Sequence, residues 1–115
     1  MKLMTKAIEQ SLLKAKELSN KMDTGATEYT DGIDRPCAVK YFNPCGVGTW
    51  LILDGEKVGD DWLLYGLCHL QEWEWGYVSL RELESIKLPF GLGIERDMYT
   101  HGTIRENAEQ LGYCE

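Results

Sequence analysis

Between Trp62 and Val78 the chain reads WLLYGLCHLQEWEWGYV, and its two halves carry different patterns. Trp62 to Leu67 is apolar on both alternating faces, as in a strand covered from two sides. Glu72 to Val78 alternates strictly. Trp73, Trp75 and Tyr77 fall on one side of an extended chain, and Glu72, Glu74 and Gly76 on the other. Such an aromatic row belongs to a core or, when left open, to a surface for a partner or for stacked bases. Cys68 to Gln71 leaves room only for a turn, so the two strands pair antiparallel.

Helical periodicity brackets this centre. Ser79 and Glu82 have the spacing of a capping box, Leu80, Leu83 and Ile86 supply an apolar side, and Pro89 stops the helix. Residues 5–22 form a second amphipathic helix. Thr5 caps it, and Ile8, Leu12, Ala15, Leu18 and Met22 make a stripe that Leu13 widens. Lys14, Lys16 and Lys21 sit toward its C-terminal end, where cations complement the helix dipole. The connection DTGATEYTDGIDRP, residues 23–36, is long for a small domain, with Tyr29 and Ile33 as its candidate anchors.

The remaining elements are short. CAVKYF (37–42) and TWLIL (49–53) read as strands joined by the turn NPCGVG. A strand rather than a helix follows those glycines, which removes a phosphate-loop reading. DGEKVGDD, from Asp54 to Asp61, reads as a polar hairpin tip, since its carboxylates lack the order of a calcium loop. Residues 88–93 are turn-rich and 94–99 suit a short strand. Thr103 and Glu106 form a second capping box, opening a helix that Gly112 ends. The pattern predicts a single α+β domain over residues 1–115: an N-terminal helix (1–22), an antiparallel meander (37–78), a helix (79–88), and a C-terminal strand and short helix (94–115). The sheet has about four strands, packed by the N-terminal helix and by the second helix after the sheet.

Composition narrows the classes. With 43% hydrophobic and 27% charged residues the chain is globular rather than disordered. Its longest apolar run is too short to span a membrane, and Glu9 and Glu17 interrupt any leader-like segment, so a cytoplasmic protein with no membrane contact is expected. The net charge of −7 is uneven: residues 1–22 hold five Lys against Glu9 and Glu17, and the rest holds seven basic against seventeen acidic residues. That balance argues against direct nucleic-acid binding through phosphates. Cys37, Cys45, Cys68 and Cys114 form no CxxC pair and are expected as thiols, and Cys68 followed by His69 does not complete a zinc framework. No metal or cofactor is implied.

No catalytic residue emerges. The carboxylate pairs Asp60/Asp61, Glu82/Glu84 and Glu95/Asp97 are too closely spaced to flank a scissile bond. Cys68 and the imidazole of His69 point to opposite faces of a strand. Glu95, Arg96 and Asp97 are the most function-like polar cluster. Arg96 can grip a carboxylate bidentately, either within the fold or on a ligand.

Several stretches resemble the bacterial domain-of-unknown-function 2958 family. They are Thr49-Trp50, Tyr65-Gly66-Leu67, Glu74, Gly76-Tyr77-Val78-Ser79-Leu80, Glu82-Leu83-Glu84, Gly91-Leu92 and Ile94-Glu95-Arg96-Asp97-Met98-Tyr99. Leu3-Met4-Thr5-Lys6, Ala26-Thr27-Glu28 and Lys40-Tyr41-Phe42-Asn43-Pro44 extend the likeness from about residue 3 to residue 100. The chain departs from the pattern at Trp73 and Trp75 and beyond His101. The resemblance implies bacteria with their plasmids, integrative elements and phages, and no known activity or catalytic residues.

The expected function is a small acidic protein-interaction module of a mobile element or phage, an inhibitor of a host nuclease, restriction or CRISPR complex. Its partner would be a host protein with a basic surface, met by Asp54, Glu56, Asp60, Asp61, Glu72 and Glu74 with Trp73 and Trp75. One alternative is a nucleic-acid accessory protein using the basic N-terminal helix and the Trp73/Trp75/Tyr77 row. The other is an enzyme or ligand-binding domain centred on Glu95, Arg96 and Asp97.

Overall fold

The computed structural model describes residues 2–114. A long helix, α1 (Lys6–Asp23), precedes strands β1 (Val39–Phe42), β2 (Thr49–Val58), β3 (Asp61–His69) and β4 (Trp73–Ser79). Helix α2 (Leu80–Ser85), strand β5 (Glu95–Arg96) and helix α3 (Ile104–Glu109) complete the chain. The sheet is antiparallel and has five strands in the order β4-β3-β2-β1-β5. The fold is the expected α+β meander with one strand more, because β5 pairs with β1 through Tyr41–Arg96 and Phe42–Glu95.

The caps act as their sequences predict. Thr5 accepts the N–H of Ile8 at the start of α1, and complete capping boxes open α2 at Ser79 and Glu82 and α3 at Thr103 and Glu106. Helix α2 is shorter than predicted and ends at Ser85. Ile86 and Leu88 are extended, as befits residues approaching Pro89. The turn after Pro89 carries Phe90 at φ 63°, 98% exposed.

The polar segment Asp54–Asp61, expected as a loop, is mostly strand. β2 and β3 pair out to Val58 and Asp61 across a two-residue turn in which Gly59 has φ 64°. Cross-strand backbone bonds sustain this arm beyond the core although Glu56, Lys57 and Val58 are exposed.

One irregularity decides the position of the site. Ile52 faces Gly66, but Asp54 faces Tyr65, so Leu53 is an extra residue and forms a bulge. Gly66 permits the close approach: a Cβ there would lie 2.1 Å from the carbonyl oxygen of Leu51. β1 pairs with β2 only as far as Ile52, so the edge of β2 opens just beyond it.

Two cores cover the sheet. On the first face α1, α2 and the N-terminal segment bury Leu3, Ile8, Leu12, Tyr41, Ile52, Leu64, Leu83 and Ile94. The Tyr41 hydroxyl donates to the carbonyl of Leu3 at 2.6 Å. On the second face the short α3 buries Cys37, Leu51, Leu53, Leu67, Ile104 and Ala108. This smaller cluster leaves the β4 side of that face partly uncovered.

Candidate functional site

The gap on the second face is a cavity of about 550 Å³. Lys16, Ser19 and Asp23 of α1 form one wall, the connection Tyr29–Ile33 a second, and Tyr65, Trp75 and Tyr77 a third. Arg35 and Asp54 line it as well. Both charged residues are buried, at 6% and 4% exposure.

Their charges are linked through α1. Arg35 donates from Nη1 to Ser19 Oγ at 2.6 Å and from Nη2 to the carbonyl of Ala15 at 2.8 Å. The Ser19 hydroxyl donates to Asp54 Oδ2 at 2.5 Å. Arg35 Nε is buried with no acceptor among the described residues, which costs about 1–3 kcal/mol. The bulge at Leu53 is what brings Asp54 into reach of Ser19, at the point where β1 no longer shields β2.

The aromatic row divides into three. Trp73 is half-buried, stacked on His69 at 4.4 Å between ring centroids and met edge-on by Tyr113 at 5.6 Å. Trp75 stacks on Tyr65 at 5.6 Å with planes 20° apart, and remains 39% exposed. Tyr77 leans on Tyr65 at 4.8 Å and is 65% exposed. Gly32 closes over Trp75, since a Cβ there would come within 3.1 Å of its Cη2 atom. Burial raises the Tyr65 phenol above its ordinary value, with Tyr77 and Asp54 adding to the effect. Of the two anchors expected for the connection, Ile33 is half-buried against the second core, whereas Tyr29 is exposed at the cavity rim.

The six acids expected to share a surface do not do so. Asp54 is buried and belongs to the Ser19–Arg35 network. Asp60 pairs with Arg81 at 2.5 Å. Asp61 Oδ1 accepts the N–H groups of Trp62 and Arg81 at 2.7 and 3.2 Å. Desolvation, the largest single influence, pushes the Asp61 carboxyl up, but these N–H groups, the Ser79 hydroxyl and the Arg81 charge together outweigh it and hold it below the usual range. Glu56 is exposed on the β2–β3 arm, while Glu72 and Glu74 are exposed at the far end of β3. β3 separates the two groups by roughly 26 Å, so they act as separate patches.

Glu95, Arg96 and Asp97 also serve different neighbours. Glu95 faces Phe42 in the ladder, Arg96 Nε donates to the carbonyl of Lys2 at 3.2 Å, and Asp97 lies 3.9 Å from Lys40 Nζ. Asp97 Oδ1 also accepts the N–H of Tyr99. These contacts fasten the N-terminus and β5 to β1.

Ser19 and Arg35 escaped the sequence reading. A serine on a helix and an arginine before Pro36 carry no pattern that announces a network. The thiols offer little reactivity in the interior: burial lifts Cys37 to about 12, and burial with Glu74 lifts Cys68 to about 11. Among the described residues no three His, Cys, Asp or Glu side chains gather as a metal set.

A family model described as "Protein of unknown function (DUF2958)" matches residues 3–108. No curated protein and no solved structure matches the chain.

Proposed function

This chain belongs to the DUF2958 family, and from that premise we propose that it is a non-enzymatic, acidic protein-interaction module whose recognition surface is the aromatic cavity on the second face of the sheet. One observation carries the reading. Trp75 and Tyr77 stand open beside the exposed carboxylates Asp23 and Asp31, on a chain of net charge −7. Aromatic faces and carboxylates together attract a cationic side chain, and the net charge steers a basic partner toward the site. Phosphate is opposed by the same acids, since the cations in the cavity lining are the half-buried Lys16 and the buried Arg35, which is already engaged with Ser19 and Ala15. A host nuclease or other defence subunit with a basic nucleic-acid groove has the matching chemistry.

The test is affinity capture of the tagged protein from its natural host at low and high salt, repeated with Trp75→Ala and Asp31→Asn. The reading requires a specific basic protein that elutes with salt and is lost with Trp75→Ala while the fold persists. Equal capture by the parent and both variants would place recognition elsewhere.

A further inference from the structure

The sheet ends at β4, and no other described strand pairs with its outer edge. We propose that this edge receives an extended segment of the partner as a sixth strand, basic on one face and apolar on the other. The inference rests on the protein-interaction reading above and supplies its mode.

β4 pairs with β3 in unbroken register along its whole length, from Trp73 opposite His69 to Ser79 opposite Leu63. In an antiparallel pair every second residue of an edge strand directs its N–H and C=O outward, which is a template for another chain. Edges are ordinarily blunted by proline, bulges or inward-pointing charges, or by being very short. β4 has seven residues, no proline and no bulge, and its one charged residue, Glu74, is exposed at the rim of the cavity on the α2 face rather than buried beneath it. The opposite edge is of the protected kind, because β5 contributes only two residues.

A cavity flanks this edge on each face. The second-face cavity presents Trp75, Tyr77 and Asp31. On the first face a cavity of about 510 Å³ lies between β4 and α2, with Val78, Leu83 and Ile86 in its wall and Glu74 and Glu82 among its lining. Side chains of an added strand alternate between the two faces, so one set would enter each cavity. Cations suit the aromatic and carboxylate side, and aliphatic groups suit the Val78–Ile86 side. Main-chain bonds along β4 supply affinity, and the two cavities supply selection. A second copy of this chain is disfavoured as the occupant, since each brings a charge of −7 and Glu72 and Glu74 along the same edge.

The experiment is amide hydrogen exchange by NMR on the whole protein with an acetylated, amidated octapeptide of alternating Arg and Val. Alternating Arg-Pro and Glu-Val octapeptides are the controls. Strand addition slows exchange of the outward β4 amides by about tenfold at saturation, with the Arg-Val peptide alone. If Arg-Pro binds as well as Arg-Val, shifting the Trp75 and Tyr77 rings without protecting β4, the added strand is overturned while the interaction reading stands. Absence of any peptide-induced change in β4 also overturns the added strand, and the capture experiment then judges the broader reading alone. Protection of β4 that rises with protein concentration and without peptide would put a second copy on the edge and overturn the partner assigned here.

Discussion

The hydroxyl of Ser19 on α1 donates to the buried carboxylate of Asp54 on β2 at 2.5 Å, across 35 positions of sequence. The same oxygen accepts from Arg35, so one small side chain mediates between two buried charges. Ser19→Ala removes the mediator and leaves both charges short of a partner. The expected loss is about 2–4 kcal/mol of unfolding free energy in urea titration. Asp54→Asn keeps an acceptor oxygen for Ser19 and costs less. Equal stability of Ser19→Ala and the parent would show that the network contributes nothing net.

Gly66 and Gly76 face each other across β3 and β4, yet they answer to different constraints. A Cβ on Gly66 meets the Leu51 carbonyl oxygen at 2.1 Å, whereas one on Gly76 meets nothing within 4 Å. Gly66→Ala therefore costs at least about 3 kcal/mol or prevents folding. Gly76→Ala stays within about 0.5 kcal/mol of the parent. Thermal melts of the pair, side by side, check the close approach of β2 to β3 at Gly66.

Phe90 combines a left-handed backbone at φ 63° with a side chain that is 98% exposed. A non-glycine residue in that region costs roughly 1 kcal/mol, and the exposed ring returns no burial. Asn tolerates the conformation well. Phe90→Asn should raise stability by about 0.5–1 kcal/mol, read from the denaturant midpoint. A fall in stability would reveal a packing role for the ring that its exposure conceals.

Asp61 and Glu106 hold depressed folded-state values. For Asp61, desolvation is the largest single influence but hydrogen bonds from Trp62, Arg81 and Ser79 with the Arg81 charge together prevail over it, and for Glu106 the Thr103 backbone and hydroxyl bonds lead. A depressed carboxyl contributes stability above its unfolded value of about 4 and loses it as pH falls through the lower folded value. Unfolding free energy should therefore drop as pH falls below about 4. Asp61→Asn should flatten part of that acid limb, in denaturant titrations run at successive pH values. An acid limb identical to the parent's would remove Asp61 from the account.

Local signals were read well because they act within a few residues. Thr5, the Ser79/Glu82 box and the Thr103/Glu106 box each cap the helix they announce, since the donor and acceptor lie three positions apart. Alternation placed Trp73, Trp75 and Tyr77 on one face of β4, and their pairing with His69, Leu67 and Tyr65 keeps them there. The α+β class followed from the same periodicities. Strand ends were read less well: the polar arm beyond Leu53 has no hydrophobic pattern, and only the hairpin partner makes it strand.

What the sequence by itself determined is thus the set of elements, their caps and the side of β4 that carries the rings. Tertiary structure alone decided which of those features became a site. The bulge at Leu53 turned Asp54 from an expected surface acid into a buried partner of Ser19 and Arg35. The small α3 core stopped short of Trp75 and Tyr77, which left a row that suits an interior standing at an opening. Each outcome depends on contacts between residues distant in the chain. Such contacts follow from how the layers cover one another, and no spacing within a single segment encodes them.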